Sequence, residues 1–315
     1  MTLSRADLLA LEPAYLAVKA RRDFRAFLGY VRIQEPPDPL SPLGGEPISF
    51  EIWPHLVEMA GDLLTEKKIV WVKARQVGAT WLTAAYVCWF AMFRENSIIS
   101  LFSKGEYEAA LFLERVATIQ RLLPDHIGAP LSRPKTAADM YWGNGSHIHA
   151  FPSTRDAGRS ETASLVVQDE AEFHEYLADN FVAVKPTTDM GGQHIMLSTV
   201  NKRQMESLFK ALVRAAPGNG WAMRFIPYFA RPGRDEAWRE EQKLNVPSAL
   251  GISPELFIEQ EYPGSLEEAL SPSRAMAYFD PDVLQWMMAN TVQEPIKEAG
   301  FLSVWKPAGG GRHYV

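Results

Sequence analysis

The first stretch that could do chemistry is an eight-residue run with the sequence Lys73-Ala74-Arg75-Gln76-Val77-Gly78-Ala79-Thr80. It follows an apolar segment and opens a helical one, and backbone N–H groups in such a turn cradle phosphate, so it predicts an ATP site. The usual pattern is G-x-x-x-x-G-K-[ST]; Gly78 and Thr80 fit it, but Ala79 replaces the lysine. Lys73 is the first candidate for the missing cation and Arg75 the second, and Thr80 is expected to hold Mg²⁺. Taken alone, the run is equally typical of an ordinary strand–helix turn.

The second stretch is an apolar segment, Leu165-Val166-Val167-Gln168, that ends in two adjacent carboxylates, Asp169 and Glu170. A parallel strand would carry both to the sheet edge where the phosphate turn lies. There Asp169 would bind Mg²⁺ and Glu170 would polarise the attacking water. The same pair is also typical of a helix N-terminus, where carboxylates are stabilised by the helix dipole. The two motifs together, in this order, favour nucleotide hydrolysis.

Three further groups of residues are candidates for the same site. Ser198, Thr199 and Asn201 end a later apolar segment and could sense the γ-phosphate, although a turn that caps the following helix fits equally well. Arg159 lies in a cationic loop and is a candidate arginine finger, in the same chain or a neighbouring one, although a solvated surface loop fits equally well. Trp53 and His55 precede the phosphate turn and could contact adenine, with core packing as the alternative, more so for Trp53.

Short apolar runs alternate with helical segments from Ile69 onward, which predicts a mostly parallel sheet with helices on both faces. The predicted strands are 69–72, 97–102, 147–151, 164–168, 194–198 and 224–226. The predicted helices are 80–93, 105–123, 170 to about 184, one from about 204, 234–244, 253–261 and 265–270. The expected fold is therefore an α/β, P-loop NTPase-like core of the RecA-like kind, with a small, mainly helical subdomain.

Four parts are expected along the chain. They are an N-terminal helical arm and linker (1–48), a P-loop ATPase core (49–230), a helical linker subdomain (231–307) and the start of a truncated C-terminal domain (308–315). A Pro- and Gly-rich stretch at 35–48 marks the first boundary, because it interrupts every regular turn.

The composition excludes several classes of protein. The 315 residues are 47% hydrophobic and 22% charged, as in a globular domain. The net charge of -6 gives no overall positive field for nucleic acid, so any DNA contact must be local. The single cysteine, Cys88, excludes an internal disulfide. No signal peptide is recognisable, the longest apolar run is too short to span a bilayer, and the histidines show no zinc spacing.

The chain resembles the large terminase subunit of tailed bacteriophages. The phosphate turn at 73–80 is similar to their deviant phosphate loop, with the lysine moved to its start. Residues 158–160 followed by 165–173 resemble their arginine loop and acidic strand, 197–201 their coupling motif, and 257–263 with 268–269 the segment that closes their ATPase region.

The resemblance implies a motor that uses ATP and Mg²⁺ to move double-stranded viral DNA into a procapsid. The implied partners are the DNA, the portal protein, the small terminase subunit and further copies in a ring, in the host cytoplasm. The full-length protein would also carry a C-terminal endonuclease. A helicase-like DNA-stimulated ATPase and a non-catalytic nucleotide-binding docking module are the two alternatives, and Ala79 is the best support for the latter.

Overall fold

A computed structural model describes residues 5–34, 45–158, 162–246 and 253–272, and beyond them 283, 286, 287, 290, 291, 297–299, 302–305 and 313–314. The chain forms two compact units, 1–271 and 272–315. The four-part division expected from the sequence stays a prediction.

The first unit contains most of the regular elements. Up to the phosphate turn they are α1 (Arg5–Arg22), α2 (Phe24–Leu28), β1 (Arg32–Ile33), β2 (Ile48–Ser49), α3 (Pro54–Thr65) and β3 (Lys68–Lys73). The core continues with α4 (Ala79–Phe93), β4 (Ile98–Ser103), α5 (Glu106–Leu122), β5 (Asp139–Tyr141), β6 (His147–Pro152), β7 (Leu165–Asp169), α6 (Leu177–Asp189), β8 (Gln193–Ser198), α7 (Leu208–Ala215) and β9 (Ala222–Ile226). The last helices of the unit are α8 (Glu236–Leu244), α9 (Pro254–Glu261) and α10 (Leu266–Leu270).

Seven strands form the central sheet in the order β5-β6-β4-β7-β8-β3-β9. All neighbours are parallel except β5, which pairs with β6 in the antiparallel direction. Strand β8 lies between β3 and β7, with Val72 opposite Ser198 and Asp169 opposite Leu197. The phosphate turn after β3 and the acidic pair at the end of β7 therefore share one edge of the sheet, separated by one strand.

Helix α4 is apolar on all sides and is buried accordingly. The N-terminal arm covers part of it: the Phe24 ring lies 5.1 Å from Tyr86 and 5.6 Å from Trp89, between ring centroids. The indole Nε1 of Trp89 donates to the Ala20 carbonyl at 2.9 Å, and Phe27 packs edge-on against Phe93 at 6.0 Å. The arm and the helix that follows the phosphate turn thus share one core.

Most predicted elements are present with ends shifted by one or two residues, but some predictions were wrong. The helix predicted to begin at Glu170 is a 3-10 turn at Ala171–Phe173 followed by α6, because Glu170 itself adopts a left-handed conformation (φ 53°, ψ 40°). The helix expected from about 204 begins at Leu208, where the Ser207 side chain caps it by accepting from the Lys210 N–H. Helix α3 and strand β5 were not predicted.

The described residues of the second unit include three short antiparallel strands: β10 (Lys297–Ala299), β11 (Leu302–Trp305) and β12 (His313–Tyr314). Strand β12 lies in the segment that was expected to begin a C-terminal domain, whereas β10 and β11 lie in a segment that was expected to be mainly helical.

Candidate nucleotide site

The phosphate turn joins β3 directly to the N-terminus of α4. Gly78 has a φ of 80°, and a Cβ there would lie 3.1 Å from a Leu56 side-chain carbon, so the turn needs glycine for both conformation and space. Gln76 also has a positive φ, 57°, which is uncommon for a residue with a side chain. The turn therefore has a defined, partly strained shape of the kind that presents N–H groups to an anion.

Lys73 and Glu170 form an ion pair that connects the two motifs. Lys73 Nζ lies 3.0 Å from Glu170 Oε1, and the lysine side chain is 6% exposed. Burial alone would lower the pKa of Lys73, but the charges of Glu170 and Asp169 outweigh it and raise the pKa. Burial raises the pKa of Glu170, but Lys73 more than offsets this effect, so that pKa is lowered and Glu170 is ionised at neutral pH. The backbone N–H of Thr199 is a further hydrogen-bond partner of the same carboxylate.

Thr80 and Asp169 face each other beside this pair. The Thr80 hydroxyl lies 3.5 Å from Asp169 Oδ1. Burial and the neighbouring Glu170 charge raise the pKa of Asp169 to about 6. His174 fixes the end of the strand, since its Nε2 donates to the Asp169 carbonyl at 2.8 Å. Burial lowers the pKa of His174 to about 4, so the imidazole is neutral at physiological pH.

A cavity of about 310 Å³ opens at this edge of the sheet. Thr80, Asp169 and Glu170 line it, as do Lys104, Glu108 and Arg115 from the β4–α5 region. Arg115 was not predicted. Its guanidinium lies 5.8 Å from the Trp81 ring centroid, and its charge lowers the pKa of Asp169. The sequence does contain a signal that could have indicated Arg115. Glu108 and Arg115 are two helical turns apart, and so lie on one face of a helix that begins at the same edge of the sheet.

The phosphate turn is also held by the segment that follows β9. Arg75 pairs with Glu261 through a short contact, and its backbone N–H donates to the Glu261 carbonyl at 2.9 Å. Arg234 donates to the Arg75 carbonyl at 2.7 Å and to the Gln76 side chain at 2.8 Å, and Arg231 donates to the Gln76 carbonyl at 3.0 Å. None of these contacts was predicted, because each joins residues more than 150 positions apart.

Trp53 and His55 approach the turn at the N-terminus of α3. His55 Nε2 donates to the Val77 carbonyl at 2.7 Å, and burial lowers the pKa of His55. Trp53 lies beneath the Gly78 backbone and beside the Arg231 guanidinium. Neither ring is among the residues that line the cavity. Their predicted contact with adenine stays a prediction.

The residues predicted to sense the γ-phosphate are placed differently from one another. The Ser198 hydroxyl accepts from the Glu172 N–H at 3.2 Å, and Thr199 is fully buried beside Glu170. The Asn201 side chain instead accepts from the Arg203 N–H at 3.0 Å and caps its own turn. The predicted arginine finger, Arg159, lies outside the described residues.

The oxygen atoms at the centre of the site fit a magnesium ion. Mg²⁺ prefers hard oxygen ligands and usually takes one or two from the protein and the rest from phosphate and water. The Thr80 hydroxyl and the Asp169 carboxylate offer two such oxygens side by side. Within the described part of the chain, no group of three or more His, Cys, Asp or Glu side chains forms a metal site by itself. These two oxygens therefore suit an ion that shares its coordination with a nucleotide.

Residues 70–246, more than half of the chain, match the family described as the terminase large subunit, T4-like virus type, N-terminal part. The chain belongs to this family. It therefore has the function of an ATPase of viral DNA packaging. The expectation drawn from the phosphate turn, the acidic pair and the coupling motif is confirmed at this level.

Solved structures show the same fold. The large terminase ATPase domain of Thermus phage P74-26 is 18% identical, with 63% of this terminase chain and 88% of that chain covered and a TM-score of 0.50. The HK97 bacteriophage large terminase is 13% identical, with 94% and 67% covered and a TM-score of 0.53. The large terminase of a thermophilic bacteriophage, in complex with ADP, is 10% identical, with 68% and 53% covered and a TM-score of 0.50. Among the described residues of this terminase chain, no helix has both the length and the apolar character that a membrane span needs.

Proposed function

We propose that this chain binds ATP with Mg²⁺ in the cavity at the end of β3 and β7, and hydrolyses it to move double-stranded DNA. The contact between Lys73 and Glu170 carries the proposal. It brings the phosphate turn and the acidic strand close enough for both to bind the same nucleotide. Lys73 takes the place of the lysine that this motif usually has at the position of Ala79. Its ammonium group has three donors, and the bond to Glu170 uses one of them.

The roles of the residues follow from their positions. The N–H groups of the turn, from Gln76 to Thr80, hold the β- and γ-phosphates together with the helix N-terminus. Thr80 and Asp169 would hold Mg²⁺, which supplies charge neutralisation of the phosphate oxygens when it is bound. Arg115, which lines the cavity, and Lys73, which pairs with the lining residue Glu170, would stabilise the negative charge that develops in the transition state. Arg75 would join them on release from Glu261.

Hydrolysis requires water to attack the γ-phosphorus in line with the bond to the leaving ADP. Glu170 is ionised and half-buried at the edge of the cavity, so its carboxylate orients this water and accepts its proton as the new P–O bond forms and the old one breaks. Thr199 contacts the same carboxylate and would report the loss of the γ-phosphate to β8.

The assembly around this site is also a proposal. The portal protein and the small terminase subunit are the expected partners, with copies of the chain arranged as a ring in the host cytoplasm. In such a ring, Arg159 would complete either its own site or that of the neighbouring copy.

The test is phosphate release from Mg-ATP by the wild type and by Lys73→Ala and Glu170→Gln. We expect turnover to fall by about 100-fold or more in both variants, since each lacks a group needed in the transition state. Glu170→Gln should still bind ATP. Lys67→Ala is the matched control, because this exposed lysine lies beside the opposite end of β3. A wild type that binds ATP but shows no turnover even with DNA and the partner proteins would favour the docking module instead.

A further inference from the structure

Arg234 is a buried cation whose acceptors belong to the phosphate turn. It is 7% exposed, and its guanidinium lies 4.4 Å from the Trp238 ring centroid and 5.4 Å from that of Tyr262. Among the described residues no carboxylate forms an ion pair with it, and its side-chain hydrogen bonds go to the Arg75 carbonyl and the Gln76 side chain. A buried cation must be compensated, so these two bonds are expected to be strong.

The part of the turn that Arg234 holds is strained. Gln76 has a φ of 57°, a left-handed conformation that is unfavourable for a residue with a side chain. Such a conformation persists only when the surroundings determine it. Arg234 holds the side chain of Gln76 and the carbonyl before it, while Arg231 holds the carbonyl of Gln76 itself. The two arginines therefore satisfy both the Arg75 and the Gln76 carbonyls of the turn.

We propose that Arg234 is a positioning residue that keeps the phosphate turn in its anion-binding shape, and that Arg231 supports this shape through its bond to the Gln76 carbonyl. The inference rests on the proposed function of the turn as an ATP site. Arg234 touches no reacting atom. It acts by raising the fraction of molecules in which the turn is ready for phosphate, and the apparent Kd for ATP changes in inverse proportion to that fraction.

The test uses Arg234→Gln and Arg234→Lys in the chain as it stands. Hydrogen bonds from a charged donor contribute enough that their loss should weaken binding of a non-hydrolysable ATP analogue about tenfold in Arg234→Gln. Arg234→Lys keeps the charge and part of the bonding, so it should lie between this variant and the wild type. Turnover at saturating ATP should change by less than about threefold in both variants, because a positioning residue acts mainly on binding.

Arg239→Gln is the matched control. Arg239 is a largely buried arginine of the same segment, but it bonds to the Tyr262 carbonyl and Glu268 and not to the turn. It should lower Tm while leaving the Kd for the ATP analogue unchanged. If Arg234→Gln lowers Tm as this control does and also leaves that Kd within twofold of the wild type, Arg234 only stabilises the fold and the inference is overturned.

Amide hydrogen exchange separates this inference from the proposed function. The Arg75 N–H bonds to the Glu261 carbonyl, so we expect it to be protected from exchange in the wild type. In Arg234→Gln this amide should exchange about tenfold faster, in parallel with the loss of analogue binding, whereas amides of β8 should be unaffected. If the wild type failed to bind ATP, the proposed function would fall. The exchange rate would still show whether Arg234 holds the turn, and an unchanged rate would refute it.

Discussion

Replacing both members of the Lys73–Glu170 pair, singly and together, tests whether the two motifs truly meet. Lys73→Met removes the cation and leaves the Glu170 and Asp169 carboxylates side by side with no ammonium between them. Glu170→Gln leaves Lys73 with Asp169, whose charge also contributes to the raised pKa of the lysine. The double variant removes both charges at nearly constant volume.

The magnitudes follow from the distance and burial of the pair. At 3.0 Å and an effective dielectric constant of about 20, the gross attraction is about 5–6 kcal/mol, most of which is offset by desolvation. Removing one partner of a buried pair lowers the free energy of unfolding by about 3–5 kcal/mol. The Glu170 side chain is 29% exposed, so we expect Lys73→Met to cost about 3 kcal/mol, the lower end of this range. Glu170→Gln should cost about 1–2 kcal/mol. The double variant should cost about 2 kcal/mol less than the sum of the two.

The assay is urea unfolding at pH 7 without nucleotide or metal, with a constant m-value as the condition for comparison. The exposed Lys243–Glu255 pair, at 3.3 Å, is the matched control, and the corresponding cycle there should give a coupling below about 0.5 kcal/mol. Additive costs at Lys73 and Glu170, with no coupling, would mean that the pair does not form and that the turn and the acidic strand are not joined.

Three further predictions concern the same site. The pKa of Asp169 is raised to about 6, so its carboxylate is protonated below that pH, and we expect Mg-dependent turnover in a pH–rate profile to fall as the pH drops through about 6 or slightly lower. Arg115→Ala should reduce kcat about 10–100-fold with a smaller effect on ATP binding, whereas Arg121→Ala, on the exposed end of α5, should leave both unchanged in steady-state assays. Gly78→Ala places a Cβ 3.1 Å from Leu56 at a φ of 80°, so it should cost about 1–3 kcal/mol in urea unfolding and abolish binding in an ATP titration; an unchanged affinity would contradict the shape we assign to the turn.

The meeting of Lys73, Asp169 and Glu170 was predictable because both motifs end buried apolar strands. Parallel strands carry their carboxyl ends to one edge, so the polar residues that follow them gather there. The strand order is not written in either motif, and the structure places β8 between the two strands. The local pattern was therefore sufficient to predict that these three residues lie at one edge of the sheet, and their roles stay a prediction.

Other features could not be predicted in this way. Arg234 and Arg231 reach the turn across more than 150 residues, and no local spacing marks such contacts. The left-handed conformation of Glu170 also departs from its local preference for a helix start, and its side chain in this position pairs with Lys73 and accepts from the Thr199 N–H, both distant in sequence. Helix α3 was missed although Pro54 occupies its first turn and its apolar residues recur at helical spacing.

The packing of the N-terminal arm on α4 limits how the protein can be shortened. Phe24 and Phe27 are fully buried against aromatic rings of a helix that has no polar face of its own. A version that starts after residue 49 would therefore leave a broad aromatic surface in contact with water, next to the element that carries the phosphate turn. Such a version is expected to precipitate during expression, and an inactive preparation of it would say nothing about the chemistry of the intact chain.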